Sequence, residues 1–400
     1  MNKRRLVVFG DADDATRRQI ERCLDVSGDD ARGVLCADNH KGYSMPIGGV
    51  VASSRVVMPA GVGYDIGCGN CAVRSNVSAG DVDVARVMDE IWRVVSFGVG
   101  RRNEERITAH PVFDTIAASP VEAQRPLLPM ARAQLGTVGG GNHYVDLFED
   151  RADGHLWVGV HFGSRGFGHK TASGFLALAA GRRWNTRVDG SMDAAPGVIP
   201  LGTPLADDYL AAMQIAGDYA YAGRDWVVDR VLRVLGARDT LRVHNHHNFA
   251  WWEEHAGARR LVIRKGATPA FPGQRGFIGG SMGDDAVIVE GVEGPTSAGA
   301  LYSTVHGAGR VMSRTQAAGK VHRRTGDVIR PGLIDWPTVQ ARLRADGLEL
   351  RGGGADEAPG AYKRLPEVLA AHGDTIRVLH TLRPIGVAMA GHDTVDPYRD

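Results

Sequence analysis

Five histidines of this 400-residue chain lie in short segments that are rich in glycine or asparagine. They are His143, His161, His246, His247 and His306. An upstream segment, Asp65-Ile66-Gly67-Cys68-Gly69, adds a carboxylate and a thiol. Metals of borderline softness accept histidine, cysteine and carboxylate ligands together, and neighbouring glycines let the backbone approach a bound ion or phosphate. The combination indicates metal-assisted chemistry on a phosphate.

Five side chains would be a natural ligand set for two divalent ions: Asp65, Cys68, His143, His161 and His247. Asp65 and Cys68 are three residues apart, so one turn could present both to one ion, and a thiolate can bridge two ions. Any one of these histidines could equally be structural, so the hypothesis depends on the whole set. Mixed sulfur, nitrogen and oxygen ligation suits manganese, zinc, cobalt or iron, and the sequence alone does not choose. His246 could orient His247 as a hydrogen-bond partner.

The segment His306-Gly307-Ala308-Gly309-Arg310 indicates a different kind of site. A neutral imidazole can attack a nucleotide α-phosphate and form a covalent phosphoramidate. The backbone N–H groups of the glycine loop could hold phosphate oxygens, and the arginine could neutralise developing charge. Two further segments, Arg264–Ala267 and Gly279–Gly283, are candidate phosphate or ribose contacts, although a plain surface turn is the commoner role for each alone. Walker A and lysine-ligase motifs are absent, so a nucleotidyl-transfer enzyme here would need an attacking group other than lysine.

Bulk composition excludes several classes of protein. Lys and Arg number 47 and Asp and Glu 46, so any nucleic-acid contact must come from a local basic patch. The apolar runs are far shorter than a membrane span, and the N-terminus has too few apolar residues for a signal peptide. We therefore expect a cytoplasmic protein with no membrane contact. Cys68-Gly69-Asn70-Cys71 has CxxC spacing, but it lacks both a second pair for zinc and a thioredoxin-like setting.

Periodicity predicts helices over 13–27, 80–96 and 205–235. Short β-like runs lie between them, and several candidate site residues follow such a run, as His161 follows Trp157–Val160. The β-like runs are Val50–Ala52, Ala72–Arg74, Trp157–Val160, Leu261–Ile263 and Val287–Val289. Strand ends that open into glycine loops are where an α/β or α+β protein exposes reactive groups. The strongest linker candidate is 350–360, which could equally be a mobile active-site loop, and 392–400 is expected to be a polar, poorly ordered tail.

Several ordered blocks resemble the RtcB family of GTP- and manganese-dependent RNA ligases, from about Asp38 to Gly391. The blocks are Gly42–Gly49, Gly63–Gly69, Gly141–His143, His161–Gly166, His246–Asn248, Arg264–Ala267 and His306–Arg310. The resemblance implies a single-domain α+β fold of the family's own type over residues 1–400. It also implies a central metal and nucleotide cleft in which β-sheets are surrounded by helices.

The resemblance assigns roles to individual residues. It implies that the five ligands above bind two Mn²⁺ ions, with Cys68 bridging, and that GTP guanylylates His306. The GMP would pass to an RNA 3′-phosphate, which a 5′-hydroxyl then attacks, and a 2′,3′-cyclic phosphate would first be opened by hydrolysis. The implied nucleotide contacts are Asn142, Asp146, Asn248, Lys265, Ser281, Gly307, Ala308, Gly309 and Tyr362, the last stacking on guanine.

RNA recognition is implied by the family and not by composition. Candidate contacts to the RNA backbone are Arg74, Arg165, Arg275, Arg314, Lys320, Arg323 and Arg324, although charge like that around Lys320 is more often a solvated face. The expected partner is RNA with a 3′-phosphate or cyclic phosphate and a 5′-hydroxyl end, in tRNA splicing or RNA repair. An archease-like activator and a monomeric state are further expectations.

The chain departs from the family pattern at three positions. Asp146 stands where the family usually has Glu, Ala286 where it often has Ser, and Ala390 where it typically has Lys. Two lost polar contacts at the base-reading end predict a relaxed or altered preference for GTP. Two alternatives remain open: a dinuclear-metal phosphoesterase on the same scaffold, which would not need His306, and a non-catalytic RNA-binding relative, against which the intact ligand set argues.

Overall fold

A computed structural model describes residues 5–188, 190–322 and 327–391 of the chain. Arg323, Arg324 and the tail 392–400 lie outside the described residues. The helices are α1 Asp14–Ser27, α2 Pro59–Val62, α3 Val84–Val94, α4 Pro111–Ala117, α5 Leu128–Gln134, α6 Arg165–Ala179, α7 Pro204–Leu235, α8 Pro295–Gly299, α9 Arg314–Ala318, α10 Trp336–Ala345 and α11 Leu365–Ala371. None of the helices in the described part of the chain is long and apolar enough to cross a membrane.

The strands are more numerous than the helices and mostly short. They are β1 Leu6–Val8, β2 Arg32–His40, β3 Ile47–Ser53, β4 Val56–Val57, β5 Gly69–Ser78, β6 Ser96–Phe97, β7 Thr137–Gly139, β8 Tyr144–Asp150, β9 His155–Phe162, β10 Ile199–Pro200, β11 Asp239–His246, β12 Asn248–His255, β13 Ala258–Lys265, β14 Ala267–Pro269, β15 Arg275–Ile278, β16 Ala286–Gly291, β17 Ser303–Val305, β18 Lys320–Val321, β19 Val328–Arg330, β20 Glu349–Gly353 and β21 Ile376–Gly391.

Two mixed sheets organise the molecule. One has the strand order β1-β2-β3-β13-β12, and the other has the order β11-β5-β9-β8-β21-β16-β15, with β20 pairing parallel to β21. Helix α7 packs across β9 and against α6, while α1 packs on β2 and β3. Sheets flanked by helices confirm the α+β class.

The three predicted helices are confirmed as α1, α3 and α7. Each begins where a side chain accepts a hydrogen bond from a backbone N–H of the first helical turn: Asp13 for α1, Asp83 for α3 and Thr203 for α7. Helix α7 ends at Gly236, whose φ of 65° is the left-handed conformation that glycine adopts without strain. The five β-like runs also lie in strands.

Helix α7 and strand β9 show why these segments form. The buried side of α7 includes Tyr209, Met213, Ala216 and Val227, which follow the helical repeat. Seven of the eight residues of β9 are buried, which explains its continuous apolar run at the centre of a covered sheet.

The sequence made 350–360 the strongest candidate for a linker, but in the structure this segment is not a linker. Residues Glu349–Gly353 form β20, and the chain continues in two short 3₁₀ turns over Ala355–Glu357 and Pro359–Ala361. Gly352 has a φ of +73°, and a Cβ there would lie 1.9 Å from the Met389 carbonyl oxygen. Gly352 therefore allows the close pairing of β20 with β21 and is not a sign of a flexible segment.

Candidate active site

The predicted metal ligands meet at one end of the larger sheet. Cys68 immediately precedes β5, His143 immediately precedes β8, His161 lies near the end of β9, and His247 follows β11. Strand pairing aligns these ends, because Gly69 pairs with both Phe162 and His246, and Tyr144 pairs with His161. Residues far apart in sequence are thus brought to one edge.

Cys68 lies at the centre of the ligand cluster. Its Sγ is 3.7 Å from His143 Nε2 and 3.6 Å from His161 Nε2. Two groups of ligand atoms share it, Asp65–Cys68–His143 and Cys68–His161–His247, and within each group the atoms lie within 4.8 Å of one another. A thiolate shared by two triplets is the geometry that a bridging ligand between two ions requires.

Asn70 fixes the orientation of the His161 ring. His161 Nδ1 lies 2.6 Å from Asn70 Oδ1, while the Asn70 amide donates to the Phe277 carbonyl at 2.8 Å. The amide can therefore only accept from the ring, so the His161 proton is on Nδ1 and the Nε2 lone pair faces Cys68. Partners of this kind orient the histidine ligands of metal sites.

His143 has a similar partner, because its Nδ1 lies 3.0 Å from the Val138 carbonyl oxygen. The Arg165 guanidinium lies 3.1 Å from the same atom but can only donate, so the two contacts cannot both be hydrogen bonds. With the proton on Nδ1, the Val138 contact is the bond. Nε2 then presents a lone pair to Asp65 Oδ2, which is 3.2 Å away. A cation between these atoms would relieve their repulsion.

Orphaned buried atoms in the cluster also fit a metal. Asp65 Oδ2 and His247 Nδ1 are buried without a hydrogen-bond partner among the described residues. Burial lowers the pKa of His161 and His247 well below the ordinary value, which favours the neutral, ligating form.

Burial and the neighbouring Asp65 raise the pKa of the Cys68 thiol well above its ordinary value. A thiol in such surroundings ionises only when a cation compensates the new charge, which a directly bound metal ion does. The donor set therefore fits divalent cations.

Another group of possible ligands, Cys71, Asp225 and His244, lies nearby but has different surroundings. The Arg224 guanidinium donates to His244 Nε2 at 2.8 Å, and Arg242 donates to Asp225 Oδ1 at 2.5 Å. Since two arginines already supply positive charge to His244 and Asp225, the group does not resemble a metal site.

His306 is held by a buried carboxylate. Asp38 is fully buried, and its Oδ2 accepts from His306 Nδ1 at 2.6 Å and from the His306 backbone N–H at 3.0 Å. Burial opposes ionisation of Asp38, but the His306 contacts keep its pKa below the ordinary value. With its proton on Nδ1, the ring has an Nε2 lone pair available for attack, the arrangement of a base-oriented nucleophile.

The glycine loop after His306 packs directly on the Asp38 backbone. Gly309 has a φ of +77°, and a Cβ there would lie 2.1 Å from the Asp38 carbonyl oxygen. The rings of His306 and His247 have centroids 4.7 Å apart, so the predicted nucleophile is next to the ligand cluster.

A cleft of about 750 Å³ contains both the ligand cluster and His306. Residues of both sheets line it, including His40 from β2 and Tyr144 from β8. The predicted nucleotide contacts that line the cleft are Asn142, Asp146, Asn248, Ser281, Gly307, Ala308, Gly309 and Tyr362. The structure thus brings together His306, the predicted metal ligands and most of the predicted nucleotide contacts.

Comparison with known proteins decides the family. The family described as "tRNA-splicing ligase RtcB" matches residues 19–390. The chain is 34% identical to the RNA-splicing ligase RtcB of Escherichia coli (strain K12) over 375 residues, or 87% of each chain. The chain belongs to the RtcB family. Two other relatives are the tRNA-splicing ligase RtcB of Archaeoglobus fulgidus, 29% identical over 92% of this chain and 90% of the relative, and the RNA-splicing ligase RtcB of Mycobacterium bovis, 32% identical over 84% and 90%.

Lys265, expected from the RtcB resemblance to contact the nucleotide, is not among the cleft-lining residues. Its ammonium donates to the backbone carbonyls of Tyr43 at 2.6 Å and Ala60 at 3.0 Å. Burial lowers the pKa of Lys265 to about 8. The side chain therefore joins two segments next to the cleft instead of pointing into it.

Tyr362 and Arg310 belong to a network around a buried carboxylate. Glu357 accepts from Arg310 at 3.3 Å, from Arg314 at 2.9 Å and from the Tyr362 hydroxyl. The Arg310 guanidinium lies 4.9 Å from the centre of the Tyr362 ring. One face of the ring thus has a cationic neighbour.

The predicted RNA contacts are dispersed. Arg314 lines the cleft, and Arg165 contacts His143. Arg74 instead pairs with Asp153 at 2.7 Å, and Arg275 lies 4.0 Å from Glu290. Lys320 lies in β18, and neither it nor Arg74 and Arg275 lines the cleft.

Sequence reasoning missed Asp38 and Asn70. Both are at strand ends and contact histidines far along the chain, so no local spacing marked them.

His246 does not have the expected partner: its Nδ1 lies 2.9 Å from the Gly67 carbonyl and 3.0 Å from the Arg224 guanidinium. Those contacts tie it to the segment before Cys68, with no bond to His247.

Proposed function

We propose that this RtcB-family protein is an RNA ligase that joins RNA 3′-phosphate or 2′,3′-cyclic phosphate ends to 5′-hydroxyl ends through a nucleotidylated His306, in tRNA splicing or RNA repair. The observation that carries the proposal is the Asp38–His306 pair, with Nδ1 and Oδ2 2.6 Å apart, beside the ligand cluster in one cleft. A hydrolase that used only the metals would have no need of this pair.

In the proposed reaction, His306 Nε2 attacks the α-phosphorus of a nucleoside triphosphate. A P–N bond forms, the bond to pyrophosphate breaks, and Asp38 stabilises the charge that develops on the ring. An oxygen of the RNA 3′-phosphate next displaces the imidazole and takes the nucleotide. The 5′-hydroxyl oxygen then attacks the RNA phosphorus, the nucleoside monophosphate leaves, and the hydroxyl loses its proton.

Two Mn²⁺ ions are the proposed metals, held by Asp65, Cys68, His143, His161 and His247. When bound they would act as Lewis acids on phosphoryl oxygens and as a template for the reacting groups. The residues around them have separate roles. Asn70 keeps His161 in the ligating tautomer, and Val138 can do the same for His143.

GTP is the proposed nucleotide, with an altered or relaxed base preference as a variant of the proposal. Asp146 lines the cleft, and its Oδ1 is buried without a hydrogen-bond partner among the described residues. Burial raises the pKa of Asp146 well above its ordinary value, so the group can be a neutral acid that both donates and accepts. Ala286 is fully buried in the core and offers no polar contact to a base.

The remaining parts of the proposal concern partners and location. The proposed substrate is RNA with the ends named above, and an archease-like activator and a monomeric, cytoplasmic protein complete it. These follow the family resemblance, and the composition is compatible with them.

The test is a ligation assay with a 3′-phosphate or cyclic-phosphate RNA and a 5′-hydroxyl RNA, with Mn²⁺ and each NTP in turn. We expect joined RNA and an acid-labile nucleotide adduct, both lost in His306→Ala. The matched control is His155→Ala, because His155 begins the same strand that carries His161 but pairs with Asp153. Phosphate release that survives His306→Ala without ligation would favour the phosphoesterase alternative, and equal adduct formation with all NTPs would support the altered preference.

A further inference from the structure

Arg224 of α7 is a fully buried arginine that has no role in the site described above. Its side chain has no exposed surface, and its hydrogen-bond contacts are with neutral groups, the Gly67 and Phe162 carbonyls and the His244 and His246 rings. Isolating a cation in the interior is expensive, and a structure retains one only where other groups satisfy it. Its contacts therefore indicate what it does.

Three of these contacts reach residues adjacent to proposed metal ligands. One terminal nitrogen donates to the Gly67 carbonyl at 2.8 Å and to the Phe162 carbonyl at 2.6 Å. The other lies 3.0 Å from His246 Nδ1. Gly67 precedes Cys68, Phe162 follows His161, and His246 precedes His247, so one planar group joins the three chain segments that meet at the second ligand triplet.

The packing of α7 brings the guanidinium to this place. Gly67 has a φ of +70°, and a Cβ there would lie 3.1 Å from both Ala220 Cβ and Gly217 Cα. The small residues of α7 thus let the loop before Cys68 lie directly on the helix. In this buried contact one Arg224 nitrogen donates to both the Gly67 and the Phe162 carbonyls while the other faces His246, and the single ammonium of a lysine could not reproduce this planar arrangement.

The charge of Arg224 also suits the site. Asp65 and Cys68 are the acidic members of the ligand set, and the guanidinium is the buried cation behind them. A fixed positive charge on the protein side offsets part of the repulsion between these two ligands once both are ionised.

We propose that Arg224 is a positioning residue for the metal site, which holds the segments bearing Cys68, His161 and His247 in their ligating arrangement. The inference rests on the proposed two-ion site and deepens it. Residues that orient metal ligands in this way typically change metal affinity by about 10- to 100-fold when they are replaced.

The experiment titrates Co²⁺ into the full-length protein and follows the thiolate-to-cobalt charge-transfer absorption, together with the melting temperature. The variants are Arg224→Met, which keeps the length of the side chain without its donors, and Arg224→Lys, which keeps the charge without the fork. The control is Arg242→Met, because the Arg242 side chain makes ion pairs with Asp225, Asp229 and Asp239 and not with the Gly67, Phe162 and His246 groups that Arg224 contacts.

We expect Arg224→Met to weaken Co²⁺ binding by about 10-fold or more and to reduce the charge-transfer band, with Arg224→Lys intermediate and Arg242→Met unchanged. If Arg224→Met does not fold, Arg224→Lys decides in its place. A lower melting temperature with wild-type affinity and spectrum would overturn the inference. Failure of the wild-type protein to bind Co²⁺ would instead overturn the proposed metal site itself.

Discussion

Replacement of Asp38 by asparagine should slow the nucleotidylation of His306. The carboxylate accepts two hydrogen bonds from His306, one from Nδ1 at 2.6 Å and one from the backbone N–H at 3.0 Å. An asparagine oxygen can accept both, so Asp38→Asn keeps the shape and removes the charge that stabilises the ring as it becomes cationic.

The size of the effect follows from the type of bond. Hydrogen bonds to charged groups contribute about 1.5–3 kcal/mol, and every 1.36 kcal/mol changes a rate about tenfold, so we expect a loss of about 10- to 150-fold. If the amide instead turns its NH₂ towards His306, the ring takes the wrong tautomer and the loss becomes about 10⁴-fold, as for the same change in a serine protease.

The assay is single-turnover transfer of labelled nucleotide to the protein with Mn²⁺ and GTP. Asp193→Asn is the control, because Asp193 is an exposed acid that pairs with Lys41 at 2.8 Å at the rim of the same cleft. Joining of RNA that already carries the activating nucleotide should be spared, since that step no longer uses His306 as a nucleophile. A wild-type rate of adduct formation in Asp38→Asn would refute the role of Asp38.

Three other predictions follow. Asn70→Ala removes the acceptor that orients His161, so Mn²⁺ affinity measured by calorimetry should fall about 10- to 100-fold, and unchanged affinity would contradict the role of Asn70. Gly309→Ala places a methyl group 2.1 Å from the Asp38 carbonyl at a φ of +77°, so adduct formation should be lost even in protein that remains folded by circular dichroism. Burial lowers the pKa of His372 to about 4 in the folded protein, so its neutral form is fully compatible with the fold above pH 6.5; as the pH falls from about 6.5 to 4 the unfolded chain takes up the proton first and stability declines. His372→Leu should make that decline shallower in urea titrations, and an identical slope would show that His372 does not contribute.

The sequence predicted the helices and strands better than the residues that hold the site side chains in place. The long helix over 204–235 and the strand runs were visible because each element buries a regular stripe or a continuous apolar run. The ligand cluster and His306 were visible because unusual residue types stand beside glycines. That residues 1–400 form a single domain stays a prediction.

The supporting residues were not predictable, because their partners depend on tertiary contacts. Nothing near Asp38 in the sequence indicates His306, and Arg224 lies on a helix whose pattern indicates only core packing. Lys265 shows the reverse error. Its lysine–glycine motif is typical of a phosphate contact, yet the Lys265 ammonium donates to two backbone carbonyls instead.

The register of β5 connects these observations. Gly69 pairs with Phe162 on one side and with His246 on the other, and these pairings bring Cys68 close to His161 and His247. A slip of one residue on either side would turn a ligand to the opposite face of the sheet. Arg224 bonds to the segment before β5, at Gly67, and to β9, at Phe162, so a shift of β9 against β5 would break a bond of the buried cation. The same guanidinium that positions the ligands therefore also opposes the wrong register, which gives a physical reason for keeping an unpaired charge in the core.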